Sequence, residues 1–386
     1  MANSLGRMCG LSRNGLLLSV IAALLVGCSA DTAERSRGAF GDDVLESPRT
    51  SAVELPPLGA SDITNQEVFE KHRKTAEFGD SEAETILGWL YASRKGAAGD
   101  DAQAVLWCRQ AAERGDFNAQ TALGWMYETG LGVPQSFESA VDWYRKAADK
   151  GFWLAENQLA LAYFRGKGLA KDDAEAVKWF RDAADQGVPA AQSNLASMYA
   201  NGFGVAQNDS EAFRLYSLAA DKEFAPAETM LGFFYFSGRS VAKDDQEAVR
   251  WFRQAANQDY APAEELLGLL YFSGQGVAKD DAQAALWIRK AAKKGLVDAQ
   301  RFIGWMYSSG IGVTRDDVEA LTWFQKAAET GDPAAQNLVG MAYAYGTGVA
   351  NDDLEAAQWY RKSADQGYSP AEFNLGWVYA NGSGVT

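Results

Sequence analysis

A chain of 386 residues, of which 47% are hydrophobic, is long enough to bury a large core. Its formal net charge of −15 disfavours nucleic acid and anionic lipid headgroups as partners and suits a basic protein partner. With a single histidine, the sequence excludes a histidine-based catalytic triad and a multi-histidine metal site, and we expect no cofactor.

Residues 1–27 predict a lipoprotein signal peptide. Arg7 and Arg13 precede an apolar stretch, residues 15–26, that is too short for an ordinary membrane span. The stretch runs into Cys28, and Leu25-Val26-Gly27-Cys28 resembles a bacterial lipobox, in which the cysteine is lipidated and becomes the first mature residue. An ordinary secretory signal and a signal anchor are the alternatives. Removal of the two arginines takes the net charge from −15 to −17.

The residue after the cysteine and the segment that follows bear on localisation. Ser29 follows Cys28, a pattern that in enteric-type bacteria resembles outer-membrane sorting. Residues 28–61 hold three prolines, mixed charge and no sustained periodicity, so they predict a disordered tether. We therefore expect a lipid-anchored chain of the bacterial cell envelope, on the outer membrane and facing the periplasm.

From residue 62 to the end, the sequence repeats with a period of 36 residues, which indicates a repeat array. We call positions that correspond after shifts of 36 residues a column. The glycine column holds glycine or alanine, and a tyrosine follows each member by three residues. The glycine column is Gly88, Gly124, Ala160, Ala196, Gly232, Gly268, Gly304, Gly340 and Gly376.

Each unit predicts a helical hairpin. In residues 299–331, apolar or small residues recur with helical spacing over residues 299–308, which we call helix A. After a glycine-containing loop, a second helical stripe begins at Asp316 and ends at Gly331, and we call it helix B. Three columns of alanine, at the positions of Ala299, Ala320 and Ala328, predict close helix packing.

The residue before each helix B favours a helix cap over a metal or catalytic acid. All eight residues in this column are cap-forming types, and Glu or Gln follows three residues later in seven of eight units, which is the pattern of a capping box. The spacing of a calcium loop is absent. The eight residues are Asp100, Ser136, Asp172, Asn208, Asp244, Asp280, Asp316 and Asp352.

The ends and the middle of the array depart from the pattern. Residues 62–77 predict a lone helix B, and residues 371–379 predict a ninth helix A with no helix B to cover it, so aromatic residues there should be exposed. Either the array is cut short at this point, which we favour, or a partner completes it. Glu223, Ser240 and Asp259 replace glycines at positions that require a left-handed backbone.

These motifs resemble the Sel-one-like repeat (SLR) family, which is tetratricopeptide-like. The resemblance is carried by Leu123-Gly124-Trp125-Met126-Tyr127, Gly130-Leu131-Gly132-Val133 and Trp143-Tyr144-Arg145-Lys146-Ala147-Ala148, and it covers the chain from about residue 63 to the end. It implies an all-α, right-handed solenoid: an N-terminal half-repeat, eight full repeats and a C-terminal half-repeat over residues 62–386. It also implies a scaffold that binds proteins or peptides.

By analogy with tetratricopeptide repeats, the outer face of helix A should line a concave groove. This face comprises the columns of Arg301, Trp305 and Ser308, which we call the outer columns. A contiguous apolar strip there would mark a binding surface, whereas the alternative is packing against adjacent helices. The candidate partner-binding residues are Trp89, Trp125, Phe164, Phe233, Phe236, Phe272, Trp305 and Trp377.

The sequence favours a non-catalytic scaffold over two alternatives. One is a surface-displayed factor that acts on host proteins. The other is an envelope hydrolase of β-lactamase type, since Ser240-Val241-Ala242-Lys243 fits an S-x-x-K motif. That motif lies in an interhelical loop and lacks the S-D-N and K-T-G partners of such enzymes.

Overall fold

The computed structural model describes residues 65–92 and 100–382, with backbone alone for residues 65–69 and 89–92. The predicted signal peptide, the tether and Cys28 lie outside the described residues. The described residues contain 18 α-helices and no strand, which confirms the all-α prediction. They belong to two compact units, one ending at Phe224 and the other beginning at Ala225. None of the described helices combines the length and the apolarity needed to cross a membrane.

Nine helices lie in each unit. The first unit contains α1 (Asn65–Ala76), α2 (Ser81–Ala92), α3 (Asp101–Glu113), α4 (Phe117–Thr129), α5 (Phe137–Ala148), α6 (Trp153–Arg165), α7 (Asp173–Asp185), α8 (Pro189–Asn201) and α9 (Asp209–Ala220). The second contains α10 (Ala225–Ser237), α11 (Asp245–Asn257), α12 (Ala261–Ser273), α13 (Asp281–Lys293), α14 (Val297–Ser309), α15 (Asp317–Glu329), α16 (Pro333–Tyr345), α17 (Asp353–Ala364) and α18 (Ser369–Asn381).

Helices A and B alternate as the period predicts, and within each unit every helix packs against its neighbours in the chain, as in an α-solenoid. α1 is the lone helix B, eight hairpins follow, and α18 is the ninth helix A. The predicted apolar stripes are buried: Phe302, Ile303 and Met306 in α14, and Trp323 and Phe324 in α15. Within each unit, the fixed period of the sequence thus becomes a series of equivalent hairpins.

The glycine column allows helices A and B to approach closely. A Cβ added to Gly304 would lie 2.6 Å from the ring of Phe324, and a Cβ on Gly124 would lie 2.6 Å from the ring of Tyr144. These separations are shorter than any real van der Waals contact, so the facing ring fills the space that a side chain would need. The alanine columns of Ala299 and Ala320 are buried throughout, and that of Ala328 is buried at every member except Ala364, which is partly exposed.

The predicted N-caps form, but the reciprocal half of the capping box does not. The side chain of each of the eight predicted residues accepts the backbone N–H three positions later, as Asp316 does from Glu319. The N–H of Asp316, however, donates to the backbone carbonyl of Tyr307 at 3.0 Å, and the N–H of Asp352 does the same to Tyr343. With that donor satisfied across the loop, Glu319 instead accepts from the indole of Trp323.

The three residues that replace glycine in the middle of the array adopt the left-handed backbone conformation that glycine adopts at the equivalent positions of other repeats. Glu223, Ser240 and Asp259 have φ of 58°, 62° and 61°, in the left-handed region. The strained turn at Asp259 receives a bond from the following repeat, because Lys294 Nζ donates to the Asp259 carbonyl at 2.6 Å. The predicted left-handed conformation is therefore confirmed at all three residues.

Two sets of contacts that recur along the array were not predicted. An arginine of helix B donates to the hydroxyl of the tyrosine 18 residues later: Arg109 to Tyr127, Arg145 to Tyr163, Arg181 to Tyr199, Arg253 to Tyr271 and Arg361 to Tyr379. A buried glutamate of helix A binds a residue 30 positions later: Glu84 to Arg114, Glu156 to Gln186, Glu228 to Gln258 and Glu264 to Lys294. The arginine–tyrosine bonds join one hairpin to the next, and the glutamate bonds join helix A to the end of helix B within one hairpin.

Candidate partner-binding surface

The structure separates the eight candidate binding residues by exposure. Trp125 on α4 is 40% exposed, and Trp377 on α18 is 56% exposed. Phe233 and Phe236 on α10 and Trp305 on α14 are partly buried. Trp89 lies on α2 at a position whose side chain is outside the described residues. Part of the predicted strip is thus accessible, and its role in binding stays a prediction.

Phe164 and Phe272 are not available to a partner, and for them the prediction was wrong. Phe164 is 8% exposed and lies 5.6 Å from the ring of Phe203, and Phe272 is 4% exposed and packs edge-on against Phe302 at 5.2 Å. The physical reason is that the outer face of one helix A touches the following repeat. The alternative that the sequence left open, packing between helices, applies to these two residues.

The same packing buries most of the remaining outer columns. Asn194 on α8, in the column of Phe302, donates to Asn157 on α6 at 3.0 Å, so the outer column that holds Asn157 contacts the next helix A. The candidate binding surface is therefore limited to the few outer-column positions whose side chains remain exposed or partly exposed. The buried members of the outer columns include Asn157, Leu161, Ser193, Ser197, Leu269 and Met341.

In the second unit, a charged and aromatic surface surrounds Trp305. We call Glu265, Asp298, Arg301, Trp305 and Asp332 the Trp305 patch. The Trp305 ring is supported from beneath, because it stacks on Phe302 with centroids 5.4 Å apart and an interplanar angle of 6°. It also meets the edge of Phe272 at 5.8 Å. The indole is therefore held rigidly while part of it remains accessible.

Three carboxyl groups in the Trp305 patch share one guanidinium group. Arg301 forms an ion pair with Asp298, and its Nε lies 3.4 Å from Oδ1 of Asp332. Oδ1 of Asp332 also accepts the N–H of Ala335 at the start of α16, which fixes the carboxylate in place. The patch therefore holds three carboxyl groups, those of Glu265, Asp298 and Asp332, and one arginine.

Glu265 is the carboxyl group that this arrangement leaves least compensated. The pKa of Glu265 is raised to about 8: burial is the largest cause, the charge of Asp298 adds to the rise, and Arg301 opposes it. At neutral pH this side chain is therefore mostly protonated. A cation placed beside it would favour the ionised form, which couples cation binding to proton release.

Lys243, Cys108 and one small cavity are features of the described residues that bear on enzyme chemistry. Lys243 of the S-x-x-K motif is exposed and pairs with Asp245 at 3.4 Å. Burial raises the pKa of the Cys108 thiol to about 12, which makes it a poor nucleophile. A cavity of about 20 Å³ beside Tyr144 and Glu128 has room for one or two waters. No group of three or more His, Cys, Asp or Glu in the described parts of the chain could hold a metal ion.

Comparison with known proteins identifies the family to which the repeats are similar. The model of the Sel1 repeat matches nine consecutive segments: residues 81–116, 118–152, 153–188, 189–224, 225–260, 261–296, 297–332, 333–368 and 369–386. Among curated proteins, none matches this chain.

Two solved structures resemble the chain over most of its length. One is c5321, a protective antigen present in uropathogenic Escherichia coli strains displaying an SLR fold, with 35% identity over 81% of this chain and 67% of that chain and a TM-score of 0.60. The other is a Sel1 repeat protein from Oxalobacter formigenes, with 29% identity over 82% of this chain and 94% of that chain and a TM-score of 0.58.

Proposed function

The chain belongs to the Sel1 repeat family, whose members are generally non-catalytic scaffolds that bind proteins, and we propose that it is an adaptor that holds a basic protein segment at the Trp305 patch. The proposal rests on one observation: a partly exposed, rigidly stacked indole lies on the same surface as three carboxyl groups that share one arginine. A lysine or arginine of a partner would gain both a cation–π contact with the indole and an ion pair with the acidic groups.

A photo-crosslinking residue at Ser308, which is partly exposed and one turn from Trp305, tests this proposal in cells. The same residue at Val318, an exposed position on α15, is the matched control. We expect a protein to be captured from position 308 and not from position 318, and to be lost when Trp305→Ala is added. The proposal would be refuted if the same protein were captured equally from both positions, or if it were still captured in the Trp305→Ala variant.

Charge provides a second test with the purified protein and the captured segment. Because the attraction is largely electrostatic, affinity should fall as salt rises from 50 to 500 mM. Calorimetry in buffers of different ionisation enthalpy should detect proton release near pH 7, since a bound cation favours ionised Glu265. In the Glu265→Gln variant the proton release should vanish. An affinity that does not respond to salt would mean that apolar contact alone carries the binding.

We propose further that the adaptor is tethered to the cell envelope through a lipidated Cys28. The support is the sequence pattern: Arg7 and Arg13, a short apolar stretch, and a cysteine at its end. Labelled palmitate should appear on the protein, and a Cys28→Ala variant should lack it and leave the membrane fraction. Equal labelling of both proteins would refute the lipid anchor. Fractionation of inner and outer membranes then tests the expected outer-membrane location.

A second candidate function is display on the cell surface, where the partner would be a host protein. It draws on the 35% identity to c5321, which is described as a protective antigen. Protease treatment of intact cells separates the two candidates, because a surface-displayed chain is degraded and a periplasmic chain is protected until the outer membrane is opened.

A further inference from the structure

The small cavity in the first unit is lined by both acidic and basic side chains. It lies between α4, α5 and α6, has a volume of about 20 Å³ and is partly open to solvent. We call it the Glu128 pocket. Because its volume corresponds to one or two waters, it can take the polar end of a small molecule but not a whole cofactor. The polar residues that line it are Glu128, Tyr144, Gln158, Arg165 and Lys167.

The repeat period explains why a cavity is present here. Four periods further along the chain, in the second unit, the equivalent positions hold three aromatic rings whose centroids lie 5.2–5.8 Å apart. Smaller side chains at these positions leave the volume of the rings unfilled, and two of the three bring polar atoms into it. Cavities that stay empty are apolar, whereas a polar one suits a polar occupant. Phe272, Phe302 and Trp305 of the second unit correspond to Glu128, Gln158 and Leu161 of the first.

The acidic side of the pocket is the carboxylate of Glu128, which a tyrosine holds in place. The hydroxyl of Tyr144 donates to Oε2 of Glu128 at 2.7 Å. Burial, together with the charge of Glu128, raises the pKa of Tyr144 well above its usual value, so the phenol keeps its proton at neutral pH. Glu128 forms no ion pair with any described residue. Its negative charge is therefore oriented by a neutral donor and remains available to a cation.

The basic side of the pocket is formed by Lys167 and Arg165. Lys167 is exposed, and its Nζ lies 5.5 Å from the centroid of the Phe137 ring, which also lines the pocket. Lys171 of the same loop pairs with Asp173 at 3.2 Å, but Lys167 forms no ion pair with any described residue. An acid and a base thus line one small pocket without being paired to each other.

We propose that the Glu128 pocket binds a small free amino acid, whose ammonium group is held by Glu128 and whose carboxylate is held by Lys167 and Arg165. A ligand with a single charge would meet a like charge on one side of the pocket, whereas a dipolar ion is complementary to both sides. Within a peptide chain the free ammonium and carboxylate groups belong to different residues, so the two charges are too far apart for a pocket of this size. The ligand is therefore a free amino acid and not a peptide terminus.

This inference goes beyond the proposed function. The Glu128 pocket lies within the first unit and the Trp305 patch lies within the second, and they share no residue. A Trp305→Ala protein should therefore bind an amino acid as the unaltered chain does. Failure of the adaptor proposal would leave this inference untouched, and the reverse also holds.

The test uses the full chain and three small probes in isothermal titration calorimetry. Glycine carries both charges, acetate carries only the carboxylate, and methylammonium carries only the ammonium group. We expect saturable binding of glycine. Acetate and methylammonium should each bind about tenfold more weakly or worse, because each lacks the charge-assisted hydrogen bonds on one side of the pocket.

Charge variants assign the two sides of the pocket. Glu128→Gln keeps the shape of the side chain and an acceptor for Tyr144, so it should weaken glycine binding about tenfold while acetate binds no more weakly than before. Lys167→Met should weaken the binding of both glycine and acetate. Lys279→Met is the matched control, because Lys279 lies over the ring of Phe272 in the second unit, and this variant should bind glycine as the unaltered chain does.

A third variant fills the pocket with the side chains that the second unit uses. Gln158→Phe combined with Leu161→Trp should abolish glycine binding, and circular dichroism establishes that the protein is folded. If this protein does not fold, Glu128→Gln alone carries the test. Both variants leave the Trp305 patch unchanged.

The other outcomes overturn the proposal. Glycine that does not bind saturably, or that binds the filled variant as tightly as the unaltered chain, would show that the pocket is not an amino-acid site. Acetate that binds as tightly as glycine would make it a site for an anion alone, and methylammonium that does so would make it a site for a cation alone.

Discussion

Adding one methyl group at two equivalent glycines should have opposite effects on stability. Gly304 and Gly376 are both helical and belong to the same column. Alanine exceeds glycine in helix propensity by about 1 kcal/mol at either position. At Gly304 the new Cβ would lie 2.6 and 2.8 Å from two ring carbons of Phe324 and 3.1 Å from the carbonyl oxygen of Ala320. At Gly376 nothing described lies within 4 Å.

The difference between the two variants isolates the cost of the crowded contact. Overpacking in a filled core costs about 1–3 kcal/mol. Since the propensity gain is common to both, Gly304→Ala should be less stable than Gly376→Ala by about that amount. Gly376→Ala should be as stable as the unaltered chain or more so. Replacing Phe324 with leucine in the Gly304→Ala protein should recover part of the loss, because a smaller side chain then faces the methyl group.

The measurement has to resolve local from global unfolding. Neighbour-coupled repeats need not unfold in one step, so urea denaturation followed by circular dichroism should be paired with hydrogen exchange resolved to single helices. Faster exchange in α14 and α15 of Gly304→Ala is the expected local effect. Equal stability of the two variants would refute the reasoning. It would mean that the Phe324 ring moves aside without cost and that glycine is not required there for close packing.

Three further predictions concern single side chains. Asp316→Ala should lower stability by about 1 kcal/mol through loss of the N-cap, and Asp316→Asn should retain most of it, as measured by urea denaturation. Cys108 should resist thiol reagents at pH 8 in the folded protein and react only on unfolding, so rapid labelling of the native chain would contradict its burial. The pKa of Glu265 is about 8 in the folded chain and about 4.3 in an unfolded one, so the folded state holds a proton that the unfolded chain releases between these values. Stability should therefore fall as pH rises from about 5 to 8. Glu265→Gln should reduce this slope in thermal melts, and an unchanged slope would show that other groups cause it.

The regularity of the sequence predicts most of the fold, because in every repeat the same columns of residues pack helix A against helix B. The left-handed turn at Asp259 and the caps of helix B are local features, and local features follow from residue type and spacing. The bond from the N–H of Asp316 to Tyr307 was missed because it crosses the loop. The 18-residue link between Arg181 and Tyr199 was missed for a similar reason: it joins one hairpin to the next.

The binding surface was harder to predict than the fold. The outer columns vary in composition, and variation alone does not distinguish a side chain that faces a partner from one that faces the next repeat. Phe272 and Trp305 illustrate the difficulty, since one lies beneath the other and only the upper ring is accessible. The excess of acid around Arg301 could have been suspected, because Glu265 lies one period before it in the same column.

Repetition also explains why a binding site can be confined to one part of the array. The contacts within hairpins use the glycine and alanine columns and those between hairpins use the tyrosine column, whereas the columns of Arg301 and Trp305 differ between repeats. Where those columns hold serine, as at Ser193 and Ser197, neighbouring A helices close over them and bury the position. Where they hold Arg301 and Trp305, the side chains remain partly exposed. Exchanging Arg301 and Trp305 for the two serines should therefore abolish partner binding. Because Trp305 stacks on Phe302 and contacts Phe272, the exchange should also lower the melting temperature, so binding is compared at a temperature where both proteins are folded. Unchanged binding by the exchanged protein would show that these two columns do not form the site.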